Sequence, residues 1–253
     1  MKAWWKLLLV VLAVTACTAY TAVVVRFQPK VKRERFRAER QRIGARIVCR
    51  LLDYRVTLRD PIPEGQPMLY VCNHLTALDP IFIASQIPAS FAGKVQIARW
   101  PLVGWVCTTH GMLLVNRERR HSTATLVQQV RKKLIHGVSL LVFPEGTTGW
   151  GHDVGPFKTG VFEAVARQEH GAVLPLFLDV TSVDGRLTPT ADGRNAVSHN
   201  HHSILLNHLL HLAGFRGVTM EIRVGAPIPG ANSDRKELAH QSHSEVCRLN
   251  DSG

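Results

Sequence analysis

The chain opens on an uninterrupted apolar stretch. From Leu7 to Val25 no residue is charged. As a helix those nineteen residues reach about 28 Å, near the roughly 30 Å hydrocarbon core of a bilayer. Trp4, Trp5 and Tyr20 suit its interfacial ends. Over 31–53 the pattern changes. Val31, Phe36, Ile43, Ile47, Val48, Leu51 and Leu52 recur mostly at three- and four-residue steps with arginines between them, which predicts a basic amphipathic helix. From about residue 55 short apolar runs alternate with helical patterns. Strands are expected at Arg55–Leu58, Met68–Cys72, Val95–Ala98, Met112–Val115, Ser139–Phe143, Val173–Val180 and Val218–Val224. Helices are expected at Pro80–Ile87, Leu102–Thr109, Ser122–His136, Gly160–Glu169, Ser203–Ala213 and Asp234–Leu249. This alternation predicts an α/β domain with a central, largely parallel sheet flanked by helices. Residues 184–200 are polar and predict a long surface loop. The expected organisation is a membrane anchor over 1–25, a basic amphipathic helix over 26–54 and the α/β domain over 55–253.

Charge sharpens this picture. Lys plus Arg number 31 against 19 Asp plus Glu, a net charge of +12. Twelve of the cations and three of the acids lie between Arg26 and Arg59, so that short segment carries +9. Positive charge directly after an apolar span stays in the cytoplasm. The expectation is a chain in the inner, cytoplasmic membrane, with residue 1 outside and the domain on the cytoplasmic face. A helix lying in the interface also leaves the domain inside. A signal peptide shares the opening pattern, and Val14-Thr15-Ala16-Cys17 resembles a lipoprotein cleavage box, but the cations at 26–33 oppose export. The basic helix suits an anionic membrane surface as partner; packing its apolar face on the domain is a compatible alternative. Nucleic acid explains the charge less well, since Phe36 is the sole aromatic in the arginine run and no nucleic-acid motif follows. A composition of 45% hydrophobic and 20% charged residues excludes a disordered tail and a many-span transporter. Five cysteines, with no Cys-x-x-Cys, suit reduced, packed thiols.

Candidate chemistry sits at strand ends, where α/β sheets gather their sites. Asn73-His74-Leu75-Thr76-Ala77-Leu78-Asp79-Pro80 follows an apolar strand. His74 is a natural general base, and a carboxylate five residues on can hold its imidazole. Asp79 before Pro80 equally suits a helix N-cap, and the two roles are compatible. A second strand ends in Asn116-Arg117, where an arginine fork can meet a phosphate. A third ends in Phe143-Pro144-Glu145-Gly146-Thr147, a turn whose backbone N–H groups can cradle an oxyanion. Glycines at 149, 151 and 155 extend it toward Pro156-Phe157-Lys158. Val173-Leu174-Pro175-Leu176 carries an internal proline that belongs at an edge or a bend. His199, His201, His202, His208 and His211 lack nearby carboxylates or cysteines and suit a solvated loop and helix start rather than a metal site.

Taken in order, Asn73-His74 with Asp79, Gly111 through Arg117, Phe143 through Thr147 and Val173-Leu174-Pro175-Leu176 resemble the glycerolipid acyltransferase family, in particular bacterial 1-acyl-sn-glycerol-3-phosphate acyltransferases. Gly93-Lys94-Val95-Gln96 and Arg99 through Trp105 also look like family segments. Thr76 stands where the family has Ser, Gln96 where a Glu is common, and the fourth block is loose. The resemblance implies acyl transfer from acyl-CoA or acyl-carrier protein to the free hydroxyl of lysophosphatidic acid, a membrane lipid acceptor, in phospholipid biosynthesis. His74 is then the base and Asp79 its orienting carboxylate. Arg117, Glu145 and Gly146 correspond to acceptor-binding positions, and Lys94 and Lys158 to basic positions able to reach the phosphate. No metal or other cofactor is needed, because a thioester is already activated. Lyso-ornithine lipid is the alternative acceptor, since the Arg-Trp-Pro-Leu stretch and the Pro-Phe-Lys turn also resemble enzymes acting on it. A non-catalytic lipid-binding protein is a further alternative, against which the His–Asp pair argues. A hydrolase is disfavoured by the lack of a Gly-x-Ser-x-Gly elbow.

Overall fold

A computed structural model of the chain describes residues 2–116, 122–149, 151, 153–187, 190–198 and 205–251. Two helices come first, α1 (Ala3–Phe27) and α2 (Arg33–Leu52). They form an antiparallel hairpin: Arg33 Nη2 donates to the Arg26 carbonyl, Arg40 lies 4.5 Å over the Tyr20 ring, and Lys6 meets Asp53 just past the end of α2. The apolar step of α2 buries Ala38, Ala45, Val48, Cys49 and Leu52. Glu34 bonds Lys133 of the domain and ties the start of α2 down.

The sheet follows as β1 (Tyr54–Leu58), β2 (Leu69–Cys72), β3 (Ser90–Lys94), β4 (Leu113–Val115), β5 (Leu140–Val142), β6 (Ala172–Val183), β7 (Arg186–Leu187), β8 (Val218–Val224) and β9 (Ile228–Pro229). Its order is β1-β8-β6-β2-β5-β3-β4, with β7 and β9 also on β6. Pairing is parallel except where β6 meets β7, β8 and β9. The helices are α3 (Asp79–Gln86), α4 (Pro101–Thr109), α5 (Ser122–Ile135), α6 (Thr190–Val197), α7 (Leu205–Gly214) and α8 (Arg235–Asp251). The central strands carry continuous apolar runs because both sheet faces are covered: all four residues of β2 and the first nine of β6 are buried. The mostly parallel α/β expectation holds. Four details differ. Val95–Arg99 is a 3-10 turn and the strand lies just before it. Thr159–Ala164 is 3-10 rather than the start of a long helix. The polar segment after 184 folds into β7 and α6, α6 being held by the buried Arg194. Pro175 lies on an interior strand, at the place where the partner of β6 changes from β9 to β8.

Helix α1 is long and apolar enough to cross a membrane by length and composition. Its contacts, however, lie along the domain. Lys6 is buried, with Nζ 2.9 Å from Asp53 Oδ2 and 2.5 Å from the Phe215 carbonyl. Thr18, Thr21 and Val25 are buried near the other end. In this fold the first turn of α1 rests on the domain. The opposite face of α1 leaves Trp4, Trp5, Leu8, Leu12, Tyr20 and Val23 exposed.

Candidate active site

The parallel strands β2, β5, β3 and β4 stand side by side, so their carboxyl ends deliver His74, Glu145, Lys94 and the segment leading to Arg117 to one edge. At the end of β2 the Asn73 amide extends the ladder: its Oδ1 accepts from Leu178 N–H at 2.7 Å and its Nδ2 donates to the Leu178 carbonyl at 3.0 Å. That anchors the loop that follows. Asp79, wholly buried, then turns back. Its Oδ2 accepts from His74 Nδ1 at 2.8 Å, Leu75 N–H at 2.6 Å and Thr76 N–H at 2.9 Å. Oδ1 has no partner. The helix-cap reading of Asp79 is corrected here. α3 begins at Asp79, and Leu78 precedes it without a side-chain cap, because the carboxylate is captured by upstream N–H groups. With Nδ1–H given to Asp79, the lone pair of His74 sits on Nε2. The ring stacks on Phe143 with centroids 4.1 Å apart, which fixes its plane.

Glu145 holds the same loop from the other side. Its Oε1 accepts from His74 N–H at 2.8 Å and its Oε2 from Gly155 N–H at 2.8 Å. Burial pushes its carboxyl above the ordinary range, against the opposing pull of those two bonds. A side chain at 155 would meet Oε2 at 2.9 Å, so any larger residue there has to displace the carboxylate. Gly149 N–H bonds the His74 carbonyl at 2.7 Å. Thus both backbone groups of His74 are held by the segment 145–155. Gly146 adopts φ +81°, a conformation that glycine takes without strain.

Beyond the Phe143 ring lies a cavity of about 270 Å³ lined by Gly93, Val115, Pro144, Gly146 and Lys158. Of the residues singled out from sequence, His74, Asp79 and Glu145 are in direct contact. Gly146 and Lys158 line the neighbouring cavity. Lys94 is exposed at the end of β3, one residue past the lining Gly93. Arg117 lies outside the described residues, two beyond Val115; so do His199, His201 and His202.

Sequence reasoning missed His208. It is buried on α7, and its Nε2 hydrogen-bonds Thr76 Oγ1 at 2.7 Å; the solvated-helix-start reading of this histidine is corrected. His211 Nε2 donates to the Ala196 carbonyl at 2.8 Å. No local pattern reveals a contact between residues 132 positions apart.

A base fixed by a buried carboxylate, beside a glycine turn at a strand edge, is chemistry that several folds could share. Comparison with known proteins decides between them. Residues 53–179 match the family model described as Acyltransferase. The chain belongs to the acyltransferase family. Among its relatives within this family is the lyso-ornithine lipid O-acyltransferase of Brucella abortus, 32% identical over 211 residues, covering 81% of this chain and 79% of that protein. The 1-acyl-sn-glycerol-3-phosphate acyltransferase of Neisseria meningitidis is 30% identical over 118 residues, 46% of each chain. The crystal structure of the 1-acyl-sn-glycerophosphate (LPA) acyltransferase PlsC from Thermotoga maritima superposes with a TM-score of 0.68 at 17% identity, covering 100% of this chain and 97% of that one. The acyltransferase fold therefore extends over the whole chain, the N-terminal hairpin included.

Proposed function

We propose that this acyltransferase moves a fatty acyl group from an acyl thioester, acyl-CoA or acyl-carrier protein, to the free hydroxyl of a lysolipid at the membrane surface. The observation that carries this reading is the His74–Asp79 pair, with Nδ1 held and Nε2 carrying the lone pair. Nε2 takes the hydroxyl proton as the oxygen attacks the thioester carbonyl. Asp79 stabilises the imidazolium, and the proton passes to the departing thiolate as the carbon–sulfur bond breaks. The thioester is already activated, so the step proceeds without a metal or other cofactor. Glu145 and Gly155 keep His74 in place, and Lys158 beside Gly146 supplies positive charge to the acceptor cavity.

Two acceptors fit. Two relatives bearing the lyso-ornithine lipid name align over about four-fifths of the chain, which favours a zwitterionic head group. The basic positions Lys94, Lys158 and Arg117 favour lysophosphatidic acid, as the sequence resemblance implied. Purified protein assayed with both lysolipids side by side decides: the favoured acceptor turns over faster, and His74→Ala lowers that rate by roughly 10²–10⁴-fold. Turnover of neither lysolipid overturns the reading.

The membrane disposition follows from the hairpin. α2 runs antiparallel beside α1 and carries seven arginines. Each would cost roughly 2.5–3.5 kcal/mol at a bilayer centre. The pair is therefore proposed to lie in one leaflet of the cytoplasmic membrane, the exposed face of α1 toward lipid and the domain in the cytoplasm.

A further inference from the structure

A second cavity, of about 350 Å³, lies between the end of α1, the start of α2 and the end of α4. Arg26, Arg33, Arg37, Val25, Thr108 and Thr109 line it. It is distinct from the cavity beside Phe143: Thr109 lines this one and Val115 the other, at opposite ends of the segment 109–115.

Three guanidinium groups converge here with little counter-charge. Arg37 Nη1 bonds Glu34 at 2.7 Å, but Glu34 is shared with Lys133. Arg33 is held by the carbonyls of Gln28 and Arg26 at 3.0 and 3.1 Å, which aligns it without neutralising it. Among the described residues Arg26 makes no ion pair. Arg37 Nε is buried with no hydrogen-bond partner among the described residues, and a buried donor left unpaired is costly. Next to Thr109, His110 is held below the ordinary histidine range by burial first and by the fields of Arg37 and Arg40 in addition. A phosphate oxygen is the acceptor that forked guanidinium donors fit best. One wall is apolar, formed by Ala22 and Val25, and Val23 and Phe27, close to them in the chain, are exposed. A phosphate ester that carries acyl chains satisfies both halves.

We propose that this cavity binds the phosphodiester head group of an anionic membrane lipid, which stays resident while the reaction proceeds elsewhere. The assignment rests on the reading that α1 faces lipid, and it adds to diffuse surface attraction a discrete site.

The test titrates dihexanoyl phosphatidylglycerol, below its micellar concentration, into detergent-solubilised full-length protein by calorimetry. One saturable site is expected. Arg26→Gln with Arg37→Gln should weaken it by roughly tenfold or more, while the exposed pair Arg50→Gln with Arg55→Gln, which removes the same charge, changes it by less than about twofold. Arg26→Gln alone has no ion pair to lose. It should weaken the lipid, keep the protein folded and leave turnover of the lysolipid acceptor in detergent unchanged. Glycerophosphoglycerol and inorganic phosphate serve as separate competitors and should bind far more weakly than the lipid. Equal weakening by the two charge-matched pairs would reduce the site to diffuse attraction. Equal competition by inorganic phosphate would make it a free-anion site, and loss of turnover in Arg26→Gln would make it the acceptor site. Each of these overturns the proposal, as does the absence of saturable binding. If the short-chain lipid binds but the protein ignores phosphatidylcholine–phosphatidylglycerol vesicles, the site stands and the membrane reading of α1 falls.

Discussion

Asp79 gathers three donors on Oδ2 and none on Oδ1. An asparagine can therefore keep its oxygen at the Oδ2 position and set its NH2 where Oδ1 has no partner. Asp79→Asn is expected to stay folded, with a modest drop in melting temperature from the unpaired buried NH2, yet lose at least about 100-fold in kcat, because the charge that stabilises imidazolium is gone. Near-normal turnover of that folded variant would reduce Asp79 to a structural role. Glu145 separates stability from activity in another way. Its carboxyl is raised by burial, so its contribution to stability is complete below the ordinary Glu value of about 4.3 and is lost as pH rises through the raised value. Glu145→Gln removes that loss. Measured by denaturant across mildly acid to neutral pH, the stability of the wild type minus that of the variant should decline as pH rises. An amide also offers one acceptor to two N–H groups, so kcat is expected to fall roughly tenfold as His74 loosens. A variant with unaltered kcat would show that this hold is dispensable. These residues were legible in the sequence because each motif is local: His74 and Asp79 share one loop, and Glu145 and Gly146 share one turn. The direction of the Asp79 side chain was not legible, since a cap and a dyad call for the same residue before proline.

Among the elements, strands buried on both faces announced themselves as unbroken apolar runs, and β2, β5, β6 and β8 lie close to where the pattern put them. β3 did not. Val95 and Ile97 alternate like a strand and yet form a 3-10 turn, while Ser90–Lys94 holds the sheet with a glycine and a serine in it. Parallel pairing to β5 and β4 decides that register, and a single sequence carries no trace of it. The same holds for α7, whose His208 reaches Thr76 across the fold. Thr76→Val keeps the side chain's shape and removes the hydroxyl that His208 bonds. Chemical denaturation is expected to show a loss of about 1–3 kcal/mol, with a several-fold drop in turnover because Thr76 N–H is one of the donors on Asp79. Thr76→Ser should restore both. A valine variant as stable and active as wild type would leave α7 without a part in holding the loop.

For the whole molecule, the composition gave the right class, but the first 25 residues had to be seen beside their neighbours. Alone they have the length of a span; beside an arginine-rich partner they form half of a hairpin. Tags placed before Lys2 and after Asp251 are expected on the same side of the membrane, so proteases added to intact spheroplasts should remove neither. Cleavage of the amino-terminal tag alone would restore the spanning arrangement. The Lys6 contact also bears on how the chain is made. Lys6 and the Phe215 carbonyl it bonds are 209 residues apart. At roughly 5–20 residues per second, about 10–40 s separate their emergence from the ribosome. Through that interval α1 has its hairpin partner but not its seat on α7, and its tryptophans and leucines meet whatever apolar phase is nearest. On the proposed placement of α1 in lipid, the membrane has first claim on the nascent chain, and the catalytic domain assembles on a helix that is already moored.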